Sequence, residues 1–326
     1  MTTYFFGYRL RVTVANLIAF VLVTSYAGTS LAQNPLQFTI NENTVTLDAG
    51  QRPLWAYRYE SVPFKPYIQK FYTPSGINIL RDAPHDHLHH HAMMYALSVD
   101  GVSFWQEHEA PGRQKNLTLQ DFVIDQNEGR PRARFTQKLD WIKPDTKEIL
   151  IKETRTVESQ LWQNQQVSLI NWQTHLSYPD RKTPIKISGS HYYGLGMRFL
   201  VSMDKDGTFF NADNNPGTVF RGDEKLTKSN WCAYNALANG KEVTVAMFDH
   251  PDNPRPVTWF TMHTPFSYLS ATLNLHKEPL VLQPGQCLKV CYGVALWDGK
   301  IDRQKVCELY QQWLNRAPKI TTLRSK

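Results

Sequence analysis

The sequence predicts an all-β protein, in which a large antiparallel β-sandwich is closed by one C-terminal helix. Three observations predict this fold class. Segments of alternating apolar and polar residues follow one another from residue 36 to residue 297. Turn sequences such as Asp100-Gly101 and Lys143-Pro144-Asp145 separate these segments. Only the segment that follows Asp302 repeats its apolar residues at helical spacing.

The strands are predicted in chain order. Residues 38–40 and 45–47 form a first hairpin, and residues 98–99 pair with residue 102 in a second one. Further strands are predicted over residues 132–141, 148–157, 167–176, 185–187, 192–199, 243–248, 258–263 and 287–296, with a reversal at Asn164-Gln165. Asp302 then caps a helix, one face of which carries Val306, Leu309, Tyr310, Trp313 and Leu314.

Residues 1–32 are typical of a secretory signal peptide. Arg9 and Arg11 precede an apolar run, and Ser30-Leu31-Ala32 suits a signal peptidase. The prediction is therefore a signal peptide over residues 1–32 and one β-sandwich domain over residues 33–326, periplasmic or secreted. After signal cleavage we expect no membrane association, because no other segment is apolar and long enough to span a bilayer.

Charge and cysteine content narrow the class of protein. Without Arg9 and Arg11, 34 basic residues face 29 acidic ones, which is too small an excess to indicate nucleic-acid binding. The four cysteines lie in the last third of the chain and fit either disulfides or buried free thiols. Cys287 and Cys291 lie on one predicted strand, about 13 Å apart, so any disulfide would use Cys232 or Cys307.

A histidine-rich stretch, residues 85–91, holds five of the 11 histidines and Asp86, and it runs into an apolar strand. This pattern favours a catalytic or metal site over a solvated loop. In an extended strand, His87, His89 and His91 would share one face. Successive residues on that face are about 7 Å apart, so a metal would need a ligand from another strand. His87 and His89 with His263 are one such set, and zinc, copper or iron would suit it.

Without a metal, His87, His89 or His90 would act as general acid or base, with Asp86 orienting the imidazole. Glu107 is predicted as a second proton-transfer group, because the hairpin at Asp100-Gly101 returns it to the histidines. Further residues are candidates for substrate binding because of their polar or aromatic side chains near predicted strand ends or in a proline-rich loop: Arg81, Trp105, His191, Arg198, His250, Asn253, Arg255 and His263. Gly194 and Gly196 precede Arg198 on one strand face, where they would admit a ligand or a neighbouring backbone, or would curve the sheet.

Six motifs carry a resemblance to a known family: residues 72–76, 86–90, 101–105, 194–198, 249–254 and 297–299. In combination they resemble exported bacterial proteins of unassigned function labelled "methane oxygenase PmoA", over residues 53–313. The family's Asp-His-Pro-His-His pattern matches Asp86, His87, His89 and His90, with Leu88 in place of the proline. The label refers to a membrane-protein subunit. This sequence does not resemble one, because beyond the predicted signal peptide it has no segment that is apolar and long enough to span a bilayer.

The resemblance implies a β-sandwich similar to galactose-mutarotase-like supersandwiches, from bacteria that degrade polysaccharides. It therefore implies a carbohydrate, or another small polar molecule, as the ligand. The leading hypothesis is a carbohydrate-active hydrolase, lyase or epimerase with a histidine acid/base site. The alternatives are an oxidoreductase with a histidine-bound metal and a non-catalytic glycan-binding module, in which tryptophans provide stacking surfaces.

Overall fold

The computed structural model describes residues 35–126, 130–162, 166–178 and 182–317. The predicted signal peptide and the predicted reversal at Asn164-Gln165 lie outside the described residues. The first eleven strands are β1 (Leu36–Ile40), β2 (Thr44–Ala49), β3 (Arg52–Arg58), β4 (Tyr67–Phe71), β5 (Met93–Ala96), β6 (Ser98–Val99), β7 (Val102–Ser103), β8 (Arg113–Asp125), β9 (Arg132–Ile142), β10 (Ile149–Trp162) and β11 (Val167–Ser177).

The second half of the chain holds eleven more strands and the helix. They are β12 (Ile185–Ser188), β13 (Gly194–Arg198), β14 (Thr208–Asn211), β15 (Thr218–Arg221), β16 (Glu224–Lys228), β17 (Trp231–Ala238), β18 (Lys241–Asp249), β19 (Thr258–Met262), β20 (Tyr268–Thr272), β21 (Leu280–Leu282), β22 (Leu288–Asp298) and α1 (Arg303–Leu314). The two predicted hairpins are confirmed as β1 with β2 and β6 with β7.

The strands form three sheets. The first has ten strands in the order β1-β2-β3-β4-β5-β13-β20-β19-β16-β15. The second has eight, β14-β17-β18-β22-β11-β10-β9-β8, and a small third sheet has the order β21-β12-β6-β7. The pairings among these strands are antiparallel, for example β13 with β20 and β10 with β11. The predicted all-β antiparallel fold is therefore confirmed.

The core lies between the two large sheets. The ring of Tyr57 on β3 packs on Phe135 of β9, with centroids 5.2 Å apart, and on Trp172 of β11 at 6.4 Å. Leu195 and Met197 of β13 are fully buried in the same apolar cluster. Because side chains alternate along a strand, Gly194, Gly196 and Arg198 point to the opposite face of the first sheet.

The predicted helix is confirmed as α1, and Asp302 caps it by accepting a hydrogen bond from the Lys305 amide at 2.9 Å. The buried face of α1 packs on the outer side of the second sheet, where Trp313 lies 5.5 Å from Phe248. Leu314 is only partly buried, so the apolar face is narrower than predicted. No helix among the described residues has the length and apolar character that a membrane crossing requires.

The prediction of a strand at the histidines is wrong. β5 begins only at Met93, and the preceding residues form consecutive turns, in which the His87 amide bonds Pro84 O at 2.9 Å and the His90 amide bonds His87 O at 2.9 Å. An antiparallel bridge between Asp82 and His91 closes the base of this loop. Proline supplies no amide hydrogen and favours turns, so Pro84 interrupts the ladder where the sequence pattern suggested continuity.

Two further local predictions need correction. The hairpin was expected to continue through Glu107 in extended form, but residues 104–109, which follow β7, lie mainly in bends. Glu109 has a φ of +59°, which a regular strand does not accommodate. The strand predicted from Tyr192 begins at Gly194. All four cysteines are free thiols, Cys232 and Cys291 buried, so the disulfide alternative is not observed.

Candidate functional site

The histidine loop, residues 84–91, is anchored to β13 on both sides. The Arg81 amide bonds Arg198 O at 3.0 Å before the loop, and the Arg198 amide bonds Ala92 O at 2.8 Å after it. The loop therefore lies over the end of β13 that carries the Arg198 side chain. Through these backbone bonds, residues more than a hundred positions apart in the sequence form one site.

Three histidines of the loop gather into one cluster. The rings of His87 and His90 stack with centroids 4.6 Å apart, and His89 meets His90 edge-on at 4.6 Å. His89 lies 5.7 Å from His87. Consecutive turns produce this gathering, because they let neighbouring side chains converge where a strand would point them to opposite faces. The three histidines predicted as general acid or base thus lie together, although the strand that would have placed His87, His89 and His91 on one face is not observed.

Asp86, His87 and Arg198 form a hydrogen-bonded relay. His87 Nδ1 lies 3.1 Å from Asp86 Oδ2, which accepts a second bond from Arg198 Nη2 at 3.0 Å. Burial favours the neutral carboxyl, but the bond to His87 and the charge of Arg198 outweigh it and lower the pKa of Asp86. The His87 side chain remains 35% exposed. Asp86 therefore stays ionised and orients an imidazole that a ligand can reach.

A second polar cluster lies behind the relay and centres on His91. His91 Nδ1 faces Asp82 Oδ1 at 3.1 Å, and its Nε2 faces Glu107 Oε1 at 2.8 Å. Burial favours the neutral imidazole, yet the bonds to these two carboxylates prevail and raise the pKa of His91. Lys65, fully buried, donates to Glu107 at 2.5 Å. Burial lowers the pKa of Lys65 more than Glu107 raises it. The cluster thus holds two nitrogen-bearing side chains, His91 and Lys65, against the carboxylates of Asp82 and Glu107.

Glu107 does reach the histidines, but its surroundings suit a permanent anion. Burial would raise its pKa, whereas the bonds from His91 and Lys65 lower it below the ordinary value. A carboxyl whose pKa is lowered by two nitrogen partners is a poor general acid. Glu107 is therefore better placed to hold His91 and Lys65 than to exchange protons.

His89 and His90 are neutral in this environment. Burial is the main cause that lowers the pKa of His89 to about 4, and the Lys65 charge adds to it. Burial likewise lowers the pKa of His90, with further lowering by the neighbouring histidines. At neutral pH both imidazoles thus carry one N–H donor and one nitrogen acceptor each. Such groups suit a ligand with hydroxyl groups.

An aromatic wall continues the site across the same sheet face. Tyr268 lies 5.2 Å from His90 and 6.3 Å from Trp105, and Trp105 packs edge-on against Tyr192 at 5.5 Å. Phe266 packs on His87 at 4.8 Å. The wall thus joins the histidine cluster to residues that precede β13.

Six of the 18 buried polar side-chain atoms that have no partner among the described residues lie at or beside this wall. They are His90 Nδ1, Trp105 Nε1, Gln106 Oε1, Tyr268 Oη and two nitrogens of Arg198, Nε and Nη1. A buried polar atom without a partner costs about 1–3 kcal/mol, so folded proteins keep few of them. These six atoms lie close together and have hydrogen-bonding capacity that a polar molecule could use.

The two glycines of β13 make room for the protein's own groups. A Cβ at Gly196 would collide with the Tyr268 ring, and a Cβ at Gly194 would collide with the Ala271 carbonyl. The predicted close approach of a neighbouring backbone is thus observed at Gly194. At Gly196, the Tyr268 side chain fills the groove that the sequence assigned to a ligand.

Several predicted binding residues lie elsewhere. His250 packs on Trp313, Asn253 bonds Asp249 and Cys291, and Arg255 bonds the Leu273 and Glu278 carbonyls. The loop that carries them is a structural corner, which explains its prolines. His263 packs on Phe209 and Tyr234 instead of completing a metal site with His87 and His89.

His191 and Trp105 both adjoin Tyr192 of the aromatic wall. His191 Nε2 bonds Glu224 at 3.0 Å, and its ring lies 4.9 Å from Tyr192, at the far end of the aromatic wall. Trp105 is fully buried and stacks on Tyr193 at 5.0 Å, so it offers no exposed platform. Arg81 does lie beside Arg198, as a substrate-binding role requires.

Within the described ranges, no three or more His, Cys, Asp or Glu side chains are arranged to hold a metal ion. The stacked rings of His87 and His90 lie face to face, which directs their nitrogens along parallel planes. The His91 nitrogens are both engaged by carboxylates. The cluster as it stands is arranged for hydrogen bonding and proton exchange.

Sequence reasoning missed four residues of the site: Lys65, Tyr67, Phe266 and Tyr268. Tyr67 stacks on His91 at 4.7 Å and donates to Asp82 at 2.8 Å. Lys65 had one available signal, since a single lysine between Phe64 and Pro66 in an apolar context indicates a buried, paired charge. The aromatic residues had none, because core aromatics and ligand-facing aromatics look alike in sequence.

Comparisons with known proteins agree with the fold. A family model described as "Family of unknown function (DUF6807)" matches residues 44–311. The GH36 α-galactosidase AgaB from Geobacillus stearothermophilus superposes with a TM-score of 0.51 and 9% identity, over 81% of this chain and 41% of that one. No curated protein matches this sequence. The likeness to AgaB shows a shared sandwich fold.

Two further solved structures are less similar to this chain. An α-galactosidase from Lactobacillus brevis gives a TM-score of 0.47 at 8% identity, over 86% of this chain and 42% of that one. A Klebsiella pneumoniae protein assigned as an aldose 1-epimerase gives 0.40 at 9% identity, over 88% and 86%. The chain thus spans 42% and 41% of the two galactosidases. The predicted membership of a family without assigned function is confirmed, while its label and its export stay predictions.

Proposed function

Since the chain belongs to the family of unknown function DUF6807, we propose its function from the site itself: an exported enzyme that acts on a carbohydrate by proton transfer at His87. The relay of Arg198, Asp86 and His87 carries this proposal. Asp86 occupies Nδ1 of the imidazole and leaves Nε2 for the proton that moves. Export rests on the sequence of residues 1–32.

The chemistry of the wall supports a sugar as the ligand. Its unpartnered atoms mix donors, such as Trp105 Nε1, with acceptors, such as Gln106 Oε1. A sugar hydroxyl both donates and accepts, and its C–H faces pack on aromatic rings. A ligand with many hydroxyls therefore matches the wall better than a purely apolar one. This wall and the His87 relay together are the proposed active site.

Proton transfer fits the three reaction classes that the sequence suggested. A hydrolase, a lyase and an epimerase each need a group that gives or takes a proton at a carbon or oxygen of the sugar. Ionised Asp86 stabilises the protonated imidazole, and the Arg198 charge holds Asp86 in place. His89 and His90, neutral and adjacent, are positioned to bind hydroxyl groups beside the reacting centre.

A non-catalytic glycan-binding module receives less support. Such a module binds sugars on exposed aromatic platforms, and all nine tryptophans of this chain are buried. The expectation that tryptophans provide stacking surfaces is therefore wrong. Smaller aromatics line the wall, but they surround ionisable groups whose arrangement a binding module does not need.

The substitution His87→Gln keeps a hydrogen-bonding side chain at this position but removes the titratable imidazole. We expect kcat to fall about 10²- to 10⁴-fold, the usual contribution of a general acid or base, with a smaller change in KM. Three assays cover the classes: release of nitrophenol from aryl glycosides, ultraviolet absorbance of unsaturated products from uronate polymers, and proton NMR of anomer exchange in galactose and glucose.

The matched control is His85→Gln, since His85 is exposed in the same loop. It should retain wild-type turnover on whichever substrate is active. Circular dichroism confirms that both variants are folded. If His87→Gln turns over as fast as His85→Gln, or if wild type is inactive on the whole panel, the proposal is wrong.

A further inference from the structure

Arg198 is a buried cation whose hydrogen-bonding capacity is largely unused. Its side chain is 1% exposed, and its one protein acceptor is Asp86, which Nη2 contacts at 3.0 Å. Nε and Nη1 have no partner among the described residues. The guanidinium lies over the Phe266 ring, with Cζ 3.3 Å from the centroid. Removed from bulk water, these donors are bonded only if acceptors from outside the described residues reach them.

Arg81 adds a second free guanidinium on the same side. Its amide bonds the Arg198 carbonyl, and its charge is close enough to lower the pKa of Arg198. Arg81 is half-buried, and its side chain forms no hydrogen bond or ion pair within the described part of the chain. Two adjacent arginines repel each other, so an anion between them would lower the electrostatic energy.

The nearby acids do not fill this role. Asp86 is shared with His87, and its carboxylate is 34% exposed. Asp204 accepts the Ser267 amide at 2.7 Å and makes no hydrogen bond to either arginine among the described residues, although its charge is close enough to interact with both. Burial raises the pKa of Asp204, which opposes its ionisation. The free nitrogens of Arg198 and Arg81 thus lack a committed carboxylate.

We propose that Arg198 and Arg81 bind the carboxylate of an acidic sugar, so that the substrate class is uronate-containing carbohydrate. The inference rests on the proposed function, because it takes the histidine loop and aromatic wall as a sugar site. Arginine forms two parallel hydrogen bonds with a carboxylate, which a hydroxyl cannot accept. Phe266 shields one guanidinium face from water, which strengthens the charge interaction.

The experiment compares each sugar with its own neutral form. Oligosaccharides of galacturonate, glucuronate and mannuronate are tested beside the same oligosaccharides after reduction of their carboxylates to primary alcohols. Isothermal titration with wild-type protein should give roughly 10- to 100-fold tighter binding for at least one uronate series, as expected for charge-assisted hydrogen bonds. Added salt should weaken the uronate series and leave the reduced series unchanged.

Arg81→Gln tests whether this arginine binds the carboxylate. Because Arg81 is only half-buried, the substitution leaves no buried cavity. We expect it to reduce the preference for the uronate about tenfold, while binding of the reduced form stays the same. Arg303→Gln is the matched control, since Arg303 is exposed at the start of α1. Arg198→Lys keeps the positive charge but loses the planar guanidinium that can donate two parallel hydrogen bonds. It should therefore also reduce the preference for the uronate over its reduced form.

The outcomes separate the two proposals. If the reduced oligosaccharides bind as tightly as the uronates, or if Arg81→Gln leaves the ratio of the two affinities unchanged, the arginines do not bind a carboxylate. The proposed function at a neutral sugar is then unaffected. If neither series binds and neither is turned over, the proposed function fails together with this inference.

Discussion

His89 and His91 lie two positions apart and are both largely buried, yet their pKa values shift in opposite directions. His89 has no carboxylate bonded to it, so burial lowers its pKa to about 4. His91 lies between Asp82 and Glu107, and these bonds overcome burial and raise its pKa. The partner of each imidazole, and not its depth alone, therefore decides the direction in which its pKa shifts.

His89→Gln should make the protein more resistant to acid. Above pH 6.5 His89 is neutral in both folded and unfolded chains, so it adds no pH dependence. As pH falls from 6.5 to about 4, the unfolded chain takes up a proton that the folded site refuses, and stability falls. Removing the group should recover about 1 kcal/mol at pH 4.5, once solvent screening is allowed for. Urea unfolding at pH 4.5 and 8 measures this.

His91→Gln is the control of opposite sign. The pKa of His91 is raised, so its extra stabilisation is complete below pH 6.5 and is lost as pH rises through the folded pKa. The variant should therefore lose more stability at pH 6 than at pH 9. Equal losses at both pH values, or an acid-sensitive His89→Gln, would contradict the assigned directions.

At the scale of an element, β13 joins the core to the site. Its Leu195 and Met197 are buried in the core, whereas Gly196 on the other face leaves room for the Tyr268 ring of β20. Tyr268 in turn packs on His90. Gly196 thus sets the position of the wall through Tyr268, because it has no side chain of its own in that space.

Gly196→Ala should destabilise the fold by about 1–3 kcal/mol, because the new methyl group overlaps the ring of Tyr268. Tyr268→Phe removes the atom nearest to that methyl, and its hydroxyl has no partner in the described residues, so the single variant should be nearly neutral. The double variant should be more stable than Gly196→Ala. Thermal unfolding of the wild type, the two single variants and the double variant gives the coupling energy between the two positions. If the two single changes in stability simply add in the double variant, the proposed overlap between the methyl group and the hydroxyl is ruled out.

Elements whose sequence pattern is local were predicted well. The hairpins β1–β2 and β6–β7 and the helix α1 each depend on neighbours in sequence, such as Asp100-Gly101 or the Asp302 cap. The histidine loop was mispredicted because its shape depends on Pro84 and on the Asp82–His91 bridge. A period-two pattern cannot distinguish a strand from consecutive turns of similar composition.

At the scale of the whole molecule, the sequence did not predict which strands and side chains pair across long sequence separations. β13 lies between β5 and β20, and Arg198 reaches Asp86 across 112 positions. The sequence therefore identified Asp86, His87 and Arg198 as separate candidates, and only the sheet order brings them together. The same limit explains why Lys65 was not linked to Glu107, its partner 42 positions away.

A buried polar network also joins the two large sheets. Arg155 of β10 donates to Tyr57 of β3 at 3.0 Å and to the Pro66 carbonyl at 3.0 Å. Within its own sheet it pairs with Glu153 at 2.9 Å. Both ionised side chains are fully buried, so each depends on the other for a counter-charge.

Arg155→Met should destabilise the protein by about 3–5 kcal/mol, because it leaves Glu153 buried without its counter-charge. At about 2–4 °C per kcal/mol, the midpoint of thermal unfolding should fall by roughly 10 °C. The double variant Arg155→Met with Glu153→Gln should recover part of the loss, since no net charge then remains buried. Arg132→Met is the matched control, as the Arg132 side chain is 55% exposed and its pair with Asp125 contributes about 0–1 kcal/mol. A double variant no more stable than Arg155→Met would mean that the lost bonds to Tyr57 and Pro66, and not the uncompensated charge of Glu153, dominate the cost.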